Sequence, residues 1–192
     1  MRHLVFLLEE PSAREMLEGV VPKIIPESSG IAITYIVFEG KQDLEKRVKK
    51  KLEGWRTPDS CFIVMRDQDS GNCYTIKSTL QHKVDQAGKK DCTLIRIACR
   101  ELEAFYLGDL AAVETALNIP RLASKQGQKK FRDPDIVGNA AEELKTVTQK
   151  QYQKIAGSRA IGPHMDLHNN KSTSFNMLVA AIRKLLSECE GC

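Results

Sequence analysis

Pairs of acidic residues closely follow three apolar segments of this 192-residue chain. They are Glu9 and Glu10 after residues 2–8, Asp67 and Asp69 after residues 60–65, and Glu101 and Glu103 after residues 92–98. Carboxylates that converge without a cation raise one another's pKa values and destabilise the fold. Mg²⁺ and Mn²⁺ prefer oxygen ligands and would relieve that repulsion. The pattern therefore predicts a divalent-metal site, provided that the three segments end at the same place.

Asp67 and Asp69 have a spacing that suits a shared metal ion. In an extended segment, residues i and i+2 point to the same side, so both carboxylates could face one ion or two adjacent ions. Glu9 would approach from a neighbouring strand. Each acidic pair alone has a simpler explanation, because aspartate favours turns and acids favour the first turn of a helix. The combination of three pairs at successive strand ends favours the metal site.

Strand-like and helix-like patterns alternate in the first half of the chain. Apolar and β-branched runs predict strands at residues 2–8, 31–38, 60–66 and 92–98, with helices at residues 13–25, 41–53, 74–87 and 100–109. Ser12 and Glu15 would cap the first helix. Short apolar strands separated by helices are typical of a parallel sheet covered on both faces, with functional groups beyond the strands' carboxyl ends. We therefore expect the first and third strands to be adjacent, so that Glu9 meets Asp67.

The second half of the chain contains no convincing strand. Helical patterns occupy residues 111–118, 139–155 and 174–188, and residues 156–173 are polar and irregular. A separate domain of ~80 residues would have a thin core. We therefore predict an α/β, Rossmann-like core at residues 1–110, with a four-stranded parallel sheet flanked by helices. Residues 111–192 would form a helical C-terminal extension packed on the same domain.

Composition narrows the class of protein. The longest apolar runs are far shorter than the ~20 residues needed to cross a bilayer, so we expect a cytoplasmic protein without a membrane segment. The net charge of +4 permits nucleic-acid binding without requiring it. No phosphate-binding loop of the ATPase type is present. A CxxC motif at residues 189–192 has no second ligand pair for zinc, and we interpret it as an inert tail.

At these residues the chain resembles TOPRIM domains of topoisomerases, primases and OLD-family nucleases, which carry a glutamate after the first strand and a DxD after the third. The matching segments are residues 6–12 and 64–69, and residues 100–109 resemble the acidic helix of OLD-type nucleases. The chain is more closely similar to small bacterial TOPRIM-like proteins encoded beside AAA-type ATPases. That resemblance includes residues 130–135 and 157–166, so it covers nearly the whole chain. Glu10 departs from it, because TOPRIM proteins commonly have glycine there.

The resemblance implies a Mg²⁺- or Mn²⁺-dependent nuclease that works with a AAA-type ATPase subunit in a bacterial defence or DNA-processing system. We expect DNA rather than RNA as the substrate. The protein could also form a homo-oligomer. The implied metal ligands are Glu9, Asp67, Asp69 and Glu103. Glu9, Asp67, Asp69 and Glu101 would act in catalysis. Cations that face the developing phosphate charge would be Arg66, Arg100, Lys154, Arg159 and His164.

Two other functions fit the sequence. The chain could be a catalytically degenerate TOPRIM-like subunit that docks on an ATPase and cuts nothing. It could also be a phosphatase or phosphotransferase of receiver-like fold, which also places acids at strand ends. The second alternative is weakened because such receivers use acids after the first strand plus a central aspartate. This chain lacks an obvious aspartate at the end of its first strand, and its DxD follows the third.

Overall fold

The computed structural model of the chain describes residues 2–188, so the CxxC motif lies outside the described residues. Four parallel strands form one sheet in the order β2-β1-β3-β4. They are β1 His3–Leu8, β2 Ala32–Val37, β3 Ser60–Asp67 and β4 Thr93–Ala98. The predicted α/β fold is confirmed, and so is the adjacency of the first and third strands.

The two central strands are the most buried. All eight residues of β3 and all but the first of β1 are buried, as expected for strands covered on both faces. β2 lies at one edge, and each of its residues is partly exposed. The register pairs Leu8 with Met65 and Asp67 with Ala98, so β3 continues past the end of β1. This offset places the end of β3 beside the residue that follows β1.

Helices occupy most of the remaining chain. They are α1 Pro11–Val20, α2 Lys41–Glu53, α3 Cys73–Gln86, α4 Glu103–Leu107, α5 Leu110–Leu117, α6 Lys129–Arg132, α7 Ala140–Val147, α8 Lys154–Ile161 and α9 Thr173–Glu188. No helix among residues 2–188 combines the length and apolar character needed to span a membrane. The helical half shares one hydrophobic core with the sheet, and the rings of Phe105 and Phe175 lie 5.4 Å apart within it.

The structure corrects two local predictions. The first helix begins at Pro11, which suits the first helical position, and the predicted capping box is wrong because the Ser12 hydroxyl donates to Glu10 instead. The predicted helix at 139–155 is two helices, α7 and α8. Gln149 and Lys150 have φ angles of 52° and 65°, a left-handed conformation that ends a helix. The segment 156–173, predicted to be irregular, therefore begins inside α8.

Candidate acidic site at the strand ends

Glu9 and Asp67 meet at the carboxyl edge of the two central strands. The Asp67 amide donates a hydrogen bond of 3.0 Å to Oε2 of Glu9. The same carboxylate oxygen lies 3.8 Å from Nε of Arg66. Burial raises the pKa of Glu9, although the Asp67 amide and the charge of Arg66 oppose that shift. The strand ends thus bring together the first two predicted site residues.

Arg66 is part of the scaffold of this edge. Its side chain is 4% exposed and pairs with Glu45 of α2, and its Nε donates to the Asp67 carbonyl at 3.0 Å. A guanidinium that is buried and bonded in this way cannot turn towards a polyanion without breaking an ion pair. The structure therefore places Arg66 in the scaffold of this edge, and its predicted contact with substrate stays a prediction.

Asp67 and Glu103 are the most buried carboxylates of the site, 8% and 1% exposed. Burial raises the pKa of Asp67 well above its ordinary value, and the charges of Glu10, Glu9 and Glu103 raise it further. Burial also raises the pKa of Glu103. Glu103 Oε1 accepts a hydrogen bond of 2.9 Å from the Tyr152 hydroxyl, while its Oε2 is buried with no hydrogen-bond partner among the described residues. A buried acceptor without a partner marks a place where a cation or a proton would be stabilised.

Lys154 supplies a positive charge beside these acids. Its ammonium lies 2.6 Å from Oε2 of Glu10. Burial lowers the pKa of Lys154, but the bond to Glu10 and the charges of Glu10, Glu103 and Asp67 outweigh burial, and the pKa is raised. Glu10, the departure from the TOPRIM pattern, is therefore held by a lysine of α8. Of the three predicted cations in the C-terminal half, Lys154, Arg159 and His164, only Lys154 bonds to a strand-end acid within residues 2–188.

Asp69 has a different environment from Asp67. β3 ends at Asp67, and Asp69 has a left-handed φ of 54°, so the extended geometry assumed for the DxD does not apply. Its amide donates 2.7 Å to the carbonyl of Arg100, which is also left-handed, with φ of 62°. Asp69 Oδ2 lies 2.7 Å from Nζ of Lys41, the first residue of α2, and its side chain is 36% exposed. The loops after β3 and β4 are thus joined at this edge.

The donor set suits a hard divalent cation, because it consists of carboxylates at adjacent strand ends, one with an unpartnered oxygen. Within residues 2–188, however, no three histidine, cysteine, aspartate or glutamate side chains are arranged to hold a metal ion as they stand. Asp69 is bonded to Lys41, and Glu10 to Lys154. The negative charge of the acidic edge is therefore partly neutralised by lysine side chains of the protein itself. A metal ion would have to compete with these lysines for their carboxylates.

Two further predicted site residues bond to partners other than the strand-end acids, and a third is exposed. Glu101 Oε2 accepts a hydrogen bond of 2.7 Å from the Ala141 amide, in the first turn of α7. Arg159 makes a two-pronged ion pair with Glu15 of α1, at 2.5 and 2.9 Å. His164 is exposed, in a loop whose neighbouring carbonyls accept hydrogen bonds from Lys23.

The direction of α8 explains the positions of Arg159 and His164. Lys154 bonds Glu10, Arg159 bonds Glu15, and Gly162 packs on the Met16 backbone. α8 therefore runs alongside α1 in the same direction, and each later residue lies further from the strand ends. His164 comes last in this series.

Two contacts of the site were not predicted. Lys41 could have been found, because it opens the helix after β2, and β2 ends at the same edge as β1 and β3. Tyr152 gives no such signal, since it reaches Glu103 across 49 residues of sequence through a tertiary contact.

The comparison with protein families adds one finding to this geometry. A family described as Domain of unknown function (DUF4276) matches residues 8–183. The chain belongs to the DUF4276 family. The match includes all of the strand-end acids, and the family description assigns them no chemistry. No curated protein and no solved structure matches the chain significantly.

Proposed function

We propose that this DUF4276 protein is a TOPRIM-type nuclease that hydrolyses phosphodiester bonds with Mg²⁺ or Mn²⁺. The observation that carries the proposal is the meeting of Glu9 and Asp67 at the ends of adjacent parallel strands, with a hydrogen bond between them. Glu10 and Glu103 lie close enough to Asp67 to raise its pKa, and Asp69 follows two residues later, so this edge concentrates the carboxylates that hard cations prefer. The sequence resemblance assigns phosphodiester chemistry to this arrangement.

Glu9, Asp67 and Asp69 would hold the metal, with Glu103 contributing its unpartnered oxygen. The metal would supply a polarised water and charge stabilisation for the leaving oxygen. A bound cation would favour the ionised form of Asp67, whose burial otherwise favours the protonated form. Glu9, partly buried and with a raised pKa, is our candidate for a general acid or base.

Substrate contact falls to the cations that border the acids. Lys154 and Lys41 each have a half-exposed side chain that is bonded to a strand-end carboxylate. A phosphate that approached with its metal could take over these ammonium groups. Arg100, partly exposed at the loop joined to Asp69, is a third candidate. We propose nucleic acid, DNA before RNA, as the polyanion and a AAA-type ATPase as the partner.

A docking subunit without nuclease activity is the second candidate, favoured by two observations. Lys154 bonds the glutamate that replaces the usual glycine, and no three acids are gathered in a metal-holding arrangement within the described residues. Such a site could have exchanged its metal for internal cations.

Incubation of the purified protein with plasmid, single-stranded DNA and tRNA, in Mg²⁺ or Mn²⁺, separates the two candidates. The nuclease proposal predicts cleavage that EDTA abolishes. A protein that cuts none of these substrates, even with a AAA-type ATPase added, yet binds that ATPase, would support the docking function. Release of phosphate from a small phosphomonoester without nucleic-acid cleavage would support the phosphatase alternative.

A further inference from the structure

The helix α2 carries an excess of positive charge on the exposed side of the sheet edge. Six of its thirteen residues are basic and three are acidic. The three acids all have partners, since Asp43 bonds Arg47, Glu45 bonds Arg66 and Glu53 lies near Lys49. Lys50 and Lys51 are exposed, and neither forms an ion pair with any residue of the described part. Lys50 and Lys51 therefore stay available on this helix.

These lysines border a groove beside the edge strand. Its lining consists of Ile36, Arg47, Lys50, Lys51, Gly54 and Trp55, and its volume is ≈ 440 Å³. Positions 47, 50, 51 and 54 are spaced to lie on one face of a helix. Ile36 belongs to β2, which has no strand on its outer side within the described sheet. The groove is thus open, basic on one side and apolar on the other.

Trp55 is held rigidly at this groove. Its Nε1 donates 2.8 Å to the Ser60 hydroxyl, and its ring meets Phe62 edge-to-face, with centroids 5.8 Å apart. The ring remains partly exposed. A fixed aromatic ring beside unpaired lysines is the combination that binds single strands, because bases stack on the ring while ammonium groups contact phosphates. An acidic protein or an anionic membrane would use the charges without needing the ring.

The groove is also connected to the acidic site. α2 begins at Lys41, which bonds Asp69, and Lys50 lies nine residues later, roughly 14 Å along the helix axis. A strand that lay along α2 could therefore reach from the groove to the strand-end acids. This volume is within the ~300–1,000 Å³ typical of small-ligand sites and is suited to one base.

We propose that the groove between α2 and β2 binds single-stranded nucleic acid, with a base stacked on Trp55 and phosphates on Lys50 and Lys51. The inference rests on the proposed function in naming nucleic acid as the substrate, and it identifies the path by which a single strand reaches the acids. Binding in the groove itself needs no metal and no cleavage.

The test uses Trp55, the single tryptophan of the chain, as its own reporter. Short oligo(dT) is titrated into the full-length protein in EDTA at low salt, and tryptophan fluorescence and the anisotropy of labelled oligo(dT) are both recorded. Stacking predicts saturable quenching that coincides with the anisotropy change. A duplex of equal length should quench much less, because its bases are already stacked. Equal quenching by duplex, or binding without quenching, would overturn the proposal.

A matched pair of variants tests the lysines. Lys50→Gln with Lys51→Gln should weaken oligo(dT) binding and lower the salt slope of the binding constant by about 1.4, at ~0.7 per lost contact. Lys125→Gln with Lys129→Gln removes the same charge from exposed residues elsewhere and should change neither. An equal loss of oligo(dT) affinity in both variants would mean that binding follows net charge, which would overturn the proposed groove site.

The two proposals can fail separately. Cleavage in Mn²⁺ without groove binding in EDTA would support the nuclease proposal and contradict the groove proposal. Groove binding without cleavage of any substrate would support the groove proposal and contradict the nuclease proposal.

Discussion

The Asp67 amide donates a 3.0 Å hydrogen bond to the Glu9 carboxylate, joining the end of β3 to the end of β1. This bond exists because β3 extends past β1 in the register. It orients Glu9, while the Leu102 backbone amide lowers the pKa of Asp67 against the larger effect of burial. Two carboxylates from distant sequence positions are thereby fixed relative to each other by backbone, which is the arrangement that pre-organises a site.

Replacing Asp67 should change how stability depends on pH. Burial raises the pKa of Asp67 well above its ordinary value of 3.8, so the native state holds a proton that the unfolded state has released. The free energy of unfolding therefore falls as the pH rises from the pKa of the unfolded state to the higher pKa of the native state. In EDTA, Asp67→Asn should be more stable than wild type near pH 8, and the difference should vanish below about pH 4. Urea unfolding across this range measures it, and an unchanged slope in the variant would contradict the buried, protonated aspartate.

Freeing Asp69 from Lys41 should strengthen metal binding. Lys41→Ala removes the ammonium that occupies Asp69, and exposed ion pairs of this kind are worth ~0.2–1 kcal/mol. The Kd of Mn²⁺, fitted from the rise in melting temperature against Mn²⁺ concentration, should fall by up to about fivefold. Lys49→Ala, which removes a lysine paired with Glu53 on the same helix, is the matched control and should have no effect. Weaker Mn²⁺ binding by Lys41→Ala would argue that Asp69 is not a ligand.

Glu101 should be a structural residue. Its carboxylate accepts from the Ala141 amide at the start of α7, so Glu101→Ala should cost about 1 kcal/mol of stability, as loss of a helix cap does. Glu101→Gln keeps an oxygen acceptor and should cost less. Chemical denaturation gives both values, and nuclease activity per folded molecule should match wild type. Activity lost in Glu101→Gln at full stability would restore the catalytic role that the sequence predicted.

Arg66 should contribute to stability more than to substrate binding. Arg66→Met leaves Glu9 and Glu45 without their buried cation and should lower the free energy of unfolding by about 3 kcal/mol. Arg14→Met removes an exposed pair with Glu18 and should change stability little. Denaturant midpoints compare the two. If Arg66→Met instead kept its stability and lost nucleic-acid affinity, Arg66 would contact the substrate.

The sheet could be predicted because its signals are local. Runs of apolar residues located all four strands, and the need for Glu9 to meet Asp67 gave the adjacency of β1 and β3. The exact end of β3 gave no such signal, so Asp69 was expected beside Asp67 and instead lies in a left-handed turn bonded to Lys41. Propensity also could not locate the break after α7, because Gln149 and Lys150 are ordinary helix formers, yet both are left-handed and exposed, with backbone hydrogen bonds to the last turn of α7.

The sequence indicated candidate cations for the site but not the residues that they contact. Lys154 was placed beside the acids, but its partner, Glu10, was not foreseen. Arg159 and His164 belong to the same stretch of sequence, yet α8 carries them away along α1. Charge alone identifies candidates, whereas helix direction decides which of them reaches a site.

The most direct test of the central claim is the rate of nucleic-acid cleavage by Asp67→Asn in Mn²⁺. Asp67→Asn keeps the size and the acceptor oxygen of the side chain and removes the charge that would hold a metal. Asp85→Asn, the same exchange at an exposed position of α3, is the control. The proposal predicts that wild type and Asp85→Asn cut at equal rates and that Asp67→Asn loses at least about a hundredfold, as removal of a group from the catalytic apparatus typically does. Cleavage by Asp67→Asn at the wild-type rate would place the chemistry outside the Glu9–Asp67 edge.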